Sequence, residues 1–145
     1  MFSNRREIDV EWGDCDPGGI IYFPRYMEYC DSCTNHLFGS VGLPKPQMLK
    51  TYGIAGIPMI EVRARFFVPS QFGETVVIES GVSEWGNTSF LVHHKVWKGD
   101  VLSAEVFEKR VWVAQLPGDP IRYKGMPIPQ DVRDRLSGSV PAGRD

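Results

Sequence analysis

Residues 24–39, PRYMEYCDSCTNHLFG, decide the fold because they carry a clear helical periodicity. Apolar side chains recur at the spacing of one helix face, and polar side chains occupy the opposite face. The apolar positions are Tyr26, Cys30, Cys33, Leu37 and Val41, and the polar ones are Arg25, Glu28, Ser32 and Asn35. The pattern predicts an amphipathic helix of about four turns that ends near Gly39 and Gly42.

On both sides of this helix, apolar and polar side chains alternate, which is typical of β-strands. A short strand is predicted at 7–12, with Ile8, Val10 and Trp12 on one side. After a less regular stretch at 43–56, one strand has Ile60, Val62, Ala64, Phe66 and Val68 on one face and Glu61, Arg63 and Arg65 on the other. Further strands are predicted from Val76, over 88–98 after a Gly86-Asn87 hairpin, and over 101–114. A loop at 117–129 and a short helix at 130–136 follow.

One helix followed by several long antiparallel strands predicts an α+β domain whose sheet curls around the helix. The chain has 145 residues, of which 42% are hydrophobic, and this is enough for one domain with its own core. We expect that domain at residues 1–136 and a flexible tail at 137–145. Because an open sheet has an edge that needs cover, we also expect the chain to pair with a second copy.

Composition excludes several classes of protein. The net charge of −2 gives no reason to expect nucleic acid or anionic membranes as partners. Apolar runs are shorter than a membrane span, and the N-terminus lacks the apolar stretch of a signal peptide, so we expect a cytoplasmic protein. Its three cysteines are an odd number, which favours reduced thiols. We expect no metal, because Cys30, Cys33 and His36 lack a fourth ligand.

The segment before the helix carries two acids, Asp14 and Asp16, followed by Pro17-Gly18-Gly19. Proline and glycine make this a turn. The two acids point the same way if the segment is extended, so their repulsion could raise one pKa. For either acid the alternative is an ordinary turn residue that hydrogen-bonds its own backbone, and the residues alone do not choose between these interpretations.

The predicted start of the helix has no side-chain cap. Pro24 suits the first helical position because its missing N–H would be unpaired there in any case. Phe23 has no side-chain oxygen, so N–H groups near Tyr22 and Phe23 need a partner. A bound oxyanion or a polarised carbonyl would supply one. The alternative is that water or Asp16 caps this end.

Other chemical motifs are weak. His93 and His94 are adjacent on a predicted strand, so they point to opposite faces and cannot share a role; we expect one to be half-buried and the other exposed. The chain has no Gly-x-Ser-x-Gly elbow, phosphate loop or dinucleotide fingerprint. We expect no cofactor.

The run GDCDPGGI at 13–20, followed by Tyr22-Phe23-Pro24 and Tyr26, resembles the hotdog-fold acyl-CoA thioesterases. The likeness is to the aspartate-dependent type of 4-hydroxybenzoyl-CoA thioesterase, and it extends over about residues 7–115. A hotdog fold, in which a curved antiparallel sheet wraps a central helix, is what the resemblance implies.

The resemblance also implies roles for individual residues. Asp16 is expected to be the catalytic carboxylate, with Asp14 in support, and the Phe23 backbone N–H is expected to hold the thioester carbonyl. Asp31 is expected to meet the far end of the acyl group, although a surface acid is the alternative. Tyr22 is expected to line the substrate.

Coenzyme A phosphates need a site of their own. Members of this family type can carry basic residues in the third hairpin, where this chain has Gly86-Asn87-Thr88. Arg122 and Lys124 in the later loop are therefore the expected phosphate contacts.

The resulting expectation is an acyl-CoA thioesterase that hydrolyses a small aromatic acyl-CoA and works as a homodimer or homotetramer. The alternatives are a thioesterase for short-chain acyl-CoA or acyl-carrier-protein thioesters, and a non-catalytic acyl-CoA-binding hotdog module. A dehydratase needs a histidine paired with an acid, and no histidine lies near Asp16 in the sequence.

Overall fold

The computed structural model describes residues 2–138, so most of the predicted tail, residues 139–145, lies outside the described residues. Helices and strands follow one another in the order β1 (Asn4–Asp9), α1 (Pro24–Ser40), α2 (Lys45–Tyr52), β2 (Met59–Phe66), β3 (Thr75–Trp85), β4 (Ser89–Lys98), β5 (Val101–Val111), β6 (Val113–Leu116), β7 (Arg122–Gly125) and α3 (Gln130–Leu136).

Five strands form one antiparallel sheet in the order β1-β3-β4-β5-β2, and β6 pairs with β7 in a separate two-stranded ribbon. Helix α1 packs against β1, β3 and β5. The predicted α+β architecture is confirmed. β1 and β2 form the two edges of the sheet.

Helix α1 matches its prediction closely. The five side chains of the apolar stripe, from Tyr26 to Val41, are at most 4% exposed. The helix ends where Gly42 adopts a positive φ of 79°, a conformation that glycine takes without a steric penalty. The helix therefore lies with its whole apolar face on the sheet.

The buried apolar side chains form two clusters rather than one. One cluster gathers the C-terminal half of α1 with α2, α3 and Trp112. The other gathers β1, the N-terminal half of α1 and the opposite ends of the central strands. Between them lies a set of buried polar side chains that we call the polar layer: Thr34, Ser80, His94, Glu108 and Arg110.

The end predicted for the first strand is wrong. β1 covers Asn4–Asp9, and Trp12 instead begins one turn of 3₁₀ helix, with its side chain 65% exposed. The Asp14 carboxylate accepts the Glu11 N–H at 3.0 Å, which stabilises this turn. A local side-chain bond to the backbone competes with strand pairing here.

The stretch at 43–56, expected to be irregular, contains helix α2. Its two prolines lie at the N-cap, Pro44, and within the first turn, Pro46, where a missing N–H breaks no helical hydrogen bond. Gly53 ends the helix with φ 64°. The prolines were therefore signals of a helix start rather than of a loop.

Strand β2 is confirmed, but its apolar face is not covered. Ile60, Val62 and Phe66 are 61%, 44% and 48% exposed, and β2 is also an edge strand that pairs only with β5 among the described residues. The alternation of apolar and polar residues therefore predicts the strand correctly, but the apolar side chains are not buried within one copy of the chain.

The apolar run at 101–114 is not one strand. β5 ends at Val111, and the buried Trp112 donates its N–H to Thr88 O at 2.8 Å. The chain then continues as β6 and returns as β7, which lies inside the predicted loop at 117–129. The short helix predicted at 130–136 is confirmed as α3.

Candidate active site

The acid-rich segment folds into a turn held by its own backbone. Asp16 donates its N–H to Ile20 O and accepts the Gly19 N–H on its carbonyl, both at 2.9 Å. Gly19 has φ 82°, which favours glycine. A side chain on Gly18 would place its first carbon 3.1 Å from Asp16 Oδ1. The two glycines therefore shape the turn and leave room for the carboxylate.

The two acids have different surroundings. Asp14 lies in the 3₁₀ turn rather than in an extended segment, so the condition under which the two carboxylates would point the same way is not met. Burial, and then the Asp14 carboxylate, raise the pKa of the Tyr29 phenol. Asp16 is half-buried and accepts one backbone N–H, from Gly18 at 2.8 Å, through Oδ1.

Helix α1 begins as its sequence predicts. Phe23 is the N-cap, Pro24 the first helical residue, and no side chain caps the end. The Tyr22 N–H is not free, since it donates to Asp14 O at 2.8 Å. In the described part of the chain the Phe23 N–H has no backbone or side-chain acceptor. A single N–H at the positive end of the helix dipole is thus available to a bound oxygen.

An apolar pocket of about 340 Å³ adjoins this helix end. Phe23, Tyr26, Phe66 and Phe67 supply its aromatic wall, and the buried Ser70 is a polar group in its lining. Tyr22 lies beside Phe23 with ring centroids 5.6 Å apart, but it does not line this pocket and is 50% exposed.

Asp31 lies on the exposed side of α1, eight residues beyond Phe23, which places it about 12 Å further along the helix axis. It lines a second pocket, of about 320 Å³, together with Lys45, Met59, Arg110 and Tyr123. The two pockets share no lining residue. One copy of the chain therefore does not bring Asp31 into the same cavity as Phe23.

The Asp31 carboxylate is paired, which the sequence did not predict. Arg110 Nη2 donates to Asp31 Oδ1 at 2.8 Å. The arginine side chain is only 6% exposed, whereas the aspartate side chain is 57% exposed. A buried cation thus reaches out to a carboxylate at the wall of the second pocket.

The polar layer continues behind Arg110. Arg110 Nε donates to Glu108 Oε1 at 3.1 Å, and Thr34 Oγ1 donates to the same oxygen at 2.6 Å. His94 Nε2 lies 3.1 Å from Glu108 Oε1, and His94 Nδ1 lies 2.6 Å from Ser80 Oγ. These fully buried groups join α1 to three neighbouring strands of the sheet.

Glu108 remains ionised despite its burial. Burial alone raises the pKa of a carboxyl, but the hydrogen bond and charge of His94, together with Arg110, outweigh it and lower the pKa of Glu108 to about 2. A buried carboxylate next to two basic side chains keeps its negative charge at neutral pH.

Strand alternation contained the signal for this network. Glu108 and Arg110 share the face of Ala104 and Val106, which is the core face of β5. Two charges on a core face indicate either a site or a buried ion pair. The two histidines do point to opposite faces, but His94 is fully buried and His93 half-buried, so the expectation of an exposed histidine is wrong.

Arg122 and Lys124 lie on β7, and both are exposed. Tyr123 between them lines the Asp31 pocket, so the two cations point to the other face of the ribbon. A larger groove of about 580 Å³ lies between β1 and the C-terminal half of α1, and it contains the basic side chains Arg5, Arg6, His36 and Lys45.

Residues 2–138 contain no group of three or more histidine, cysteine or acidic side chains placed to bind a metal. Within the same residues, no helix has the length and apolar character needed to cross a membrane. The three cysteines are free thiols.

Comparison with known proteins identifies similar chains over nearly the whole length. The profile of the thioesterase-like superfamily matches residues 10–136. The chain is 33% identical over 134 residues to 4-hydroxybenzoyl-CoA thioesterase of Pseudomonas sp. (strain CBS-3), which covers 88% of this chain and 93% of that enzyme.

Solved structures agree with this match. The structure of the same Pseudomonas enzyme superposes with a TM-score of 0.81 at 29% identity, covering 92% of this chain and 98% of the other. A gentisyl-coenzyme A thioesterase superposes with a TM-score of 0.77 at 28% identity, covering 92% and 99%. The predicted hotdog fold is therefore confirmed.

Proposed function

The chain belongs to the thioesterase-like superfamily, and from that premise we propose that it hydrolyses a small aromatic acyl-CoA to the free acid and coenzyme A. The names of the relatives specify hydroxylated aromatic acyl groups, which supports this class of substrate. The observation that carries the proposal is the free Phe23 N–H at the start of α1, directly after the turn that holds Asp16.

The proposed mechanism begins at the Phe23 N–H. It donates to the thioester carbonyl, and the helix dipole stabilises the negative charge that develops on that oxygen. The Asp16 carboxylate either attacks the carbonyl carbon to form a mixed anhydride or takes a proton from an attacking water. The carbon–sulfur bond then breaks, and coenzyme A leaves as a thiolate. On the first route water afterwards hydrolyses the anhydride, which releases the acid and regenerates the Asp16 carboxylate.

The acyl group is proposed to lie between the aromatic side chains at the helix start and Asp31. Tyr22 and Phe23 would contact the ring, and Asp31 would accept a hydrogen bond from a hydroxyl at its far end. Because the two pockets are separate in one chain, this placement requires a second copy that brings an Asp31 carboxylate next to an acyl group held at Phe23. A second copy packed against β2 would also cover the exposed apolar side chains of that strand.

Self-association is therefore part of the proposal, as a homodimer or homotetramer. The phosphates of coenzyme A are proposed to contact Arg122 and Lys124. The single domain at 1–136 and the cytoplasmic location expected from the sequence belong to the same proposal.

A thiol-release assay with acetyl-, phenylacetyl- and 4-hydroxybenzoyl-CoA tests the function. Preference for the two aromatic substrates supports the proposal. Faster release from acetyl-CoA would indicate a short-chain thioesterase. Tight binding of acyl-CoA without thiol release would indicate a non-catalytic binding module and would refute the proposal.

Single-turnover hydrolysis in oxygen-18 water separates the two roles of Asp16. Solvent label in the Asp16 carboxylate would favour an anhydride, because water that attacks the aspartyl carbon of an anhydride labels the enzyme, whereas general-base activation of water labels only the product acid. The control is Asp14, which should carry no label under either mechanism.

A further inference from the structure

The Asp31 carboxylate is anchored at one oxygen only. Arg110 Nη2 holds Oδ1 at 2.8 Å, and within residues 2–138 no hydrogen-bond donor to Oδ2 is found. Because Asp31 lines the pocket of about 320 Å³ beside α1, the second oxygen is available to a ligand there. An ionised carboxylate can only accept hydrogen bonds.

Arg110 is itself fixed from three sides. Its Nε donates to Glu108 Oε1 at 3.1 Å and its Nη1 donates to Ile57 O at 3.0 Å. With the bond to Asp31, each nitrogen of the guanidinium has a partner. A planar guanidinium held in this way has one orientation, so the oxygen that it holds on Asp31 also has one position.

The contacts close a ring between α1 and β5. Asp31 and Thr34 are three residues apart and therefore neighbours on one side of α1. Asp31 bonds to Arg110 and Thr34 bonds to Glu108, and these two partners lie on the core face of β5. The Arg110–Glu108 bond completes the ring. The ring sets the position of the Asp31 carboxylate relative to the sheet.

Stability alone does not account for the reach of Arg110 to Asp31. Glu108 and the Ile57 carbonyl already satisfy part of the buried guanidinium. A pair with a carboxylate that is 57% exposed adds little to the free energy of unfolding, because solvent screens it. The main effect of the pair is therefore to hold the Asp31 carboxylate in place at the wall of the pocket.

We propose that Arg110 is a positioning residue, which orients the Asp31 carboxylate to accept a hydrogen bond from a hydroxyl at the far end of the acyl group. This inference rests on the proposed function. Arg110 does not touch the substrate and transfers no proton. A substrate hydroxyl donates to the second oxygen of Asp31, whereas an acyl group without a hydroxyl leaves that oxygen without this hydrogen bond. The site should therefore favour hydroxylated acyl groups.

The test compares kcat/KM for 4-hydroxybenzoyl-CoA with kcat/KM for benzoyl-CoA, which lacks only the hydroxyl. The wild-type protein should favour the hydroxylated substrate. In Arg110→Met the ratio of the two values should fall about tenfold or more, as in Asp31→Asn, and the double variant should show no further fall. Arg110→Lys should retain part of the preference for 4-hydroxybenzoyl-CoA over benzoyl-CoA, and the preference that remains should lie mainly in KM.

Arg133→Met is the matched control. Arg133 also donates to backbone carbonyls, those of Ile128, Gly86 and Asn87, but it has no contact with Asp31. It should lower the melting temperature and leave the substrate ratio unchanged. If Arg110→Met does not fold, Arg110→Lys and Asp31→Asn carry the comparison.

A purely structural role for Arg110 predicts equal losses with both substrates, and that result would overturn the inference. Additive losses in the double variant would also overturn it. Failure of the proposed function looks different, since the wild-type protein would then hydrolyse neither aromatic thioester.

Discussion

The Asp16 carboxylate accepts the Gly18 N–H at 2.8 Å through Oδ1, and residues 2–138 supply no donor to its other oxygen. The same residue therefore does what a turn aspartate does and keeps one oxygen available for chemistry. The two interpretations of the acid-rich segment, turn residue and reactive carboxylate, are compatible in one side chain. Asp14 differs, because its carboxylate caps the 3₁₀ turn next to Tyr29.

Replacing Asp16 with asparagine should abolish turnover without changing the fold. The amide oxygen can still accept the Gly18 N–H, whereas the charge that attacks the thioester or activates water is lost. We expect kcat to fall by at least about 100-fold. Circular dichroism and the melting temperature should stay close to those of the wild-type protein.

Asp14→Asn is the control for that variant, because its amide oxygen can also keep the bond to the Glu11 N–H. The loss of activity should be clearly smaller. If the ranking of the two variants is reversed, the catalytic role belongs to Asp14.

Acid should destabilise the protein through Glu108. Its pKa in the folded protein is about 2, below the ordinary value of 4.5. The stabilisation is therefore fully present above pH 4.5 and is lost as the pH falls from 4.5 towards 2, because the unfolded chain binds the proton first. Urea unfolding at a series of pH values should show this decline.

In Glu108→Gln the decline over the same pH range should be shallower, although the variant is less stable at pH 7 because the buried Arg110 loses the counter-charge of Glu108. Glu105→Gln is the comparison, since Glu105 lies on the other face of β5 and pairs with the half-buried His93. An equal pH dependence in wild type and Glu108→Gln would contradict the prediction.

A charge on the exposed face of β2 should disrupt self-association. Val62→Lys places a cation where a second copy would pack, and we expect sedimentation velocity to show a shift from dimer to monomer. Val101→Lys is the matched control, because Val101 is 46% exposed and Val62 44%, but Val101 begins β5 at the turn from β4. A wild-type monomer would refute self-association. Equal effects of both substitutions would contradict a contact at β2.

The phosphate contacts can be tested with a truncated substrate. Arg122→Ala with Lys124→Ala should raise KM for an acyl-CoA by roughly threefold to tenfold and leave KM for the matching acyl-pantetheine, which lacks the nucleotide, unchanged. The comparison pair is Arg5→Ala with Lys45→Ala in the basic groove. If that pair raises KM instead, the groove holds the phosphates.

Local sequence signals predicted the parts of the fold that depend on local physics. The apolar stripe and the glycine stop predicted α1 nearly to its last residue, and α3 was predicted at the residues where the structure has it. The absent cap at Phe23 was also predicted, since it depends only on which side chain precedes Pro24. Helix α2 was not predicted, because proline usually interrupts a helix, whereas Pro44 and Pro46 lie at the N-cap and in the first turn of this one.

Features that depend on distant partners were not predicted. The alternation of β2 indicates a strand but not its place at the edge of the sheet, which depends on the strand order. The pairing of Asp31 depends on Arg110, 79 residues away. Besides Arg110 on its own strand, Glu108 is stabilised in the core by Thr34 and His94 from other elements, and no spacing rule brings these residues together.

The polar layer also determines how the central strands are aligned along one another. Apolar side chains tolerate a slip of two residues, because each keeps its face of the sheet. Such a slip of β4 would move His94 away from Ser80, its partner on β3. It would also leave Glu108 buried without His94 as a neighbour, which is costly. In the observed alignment His94 contacts both Ser80 and Glu108, so among arrangements that bury similar apolar area the polar layer favours this register of the sheet.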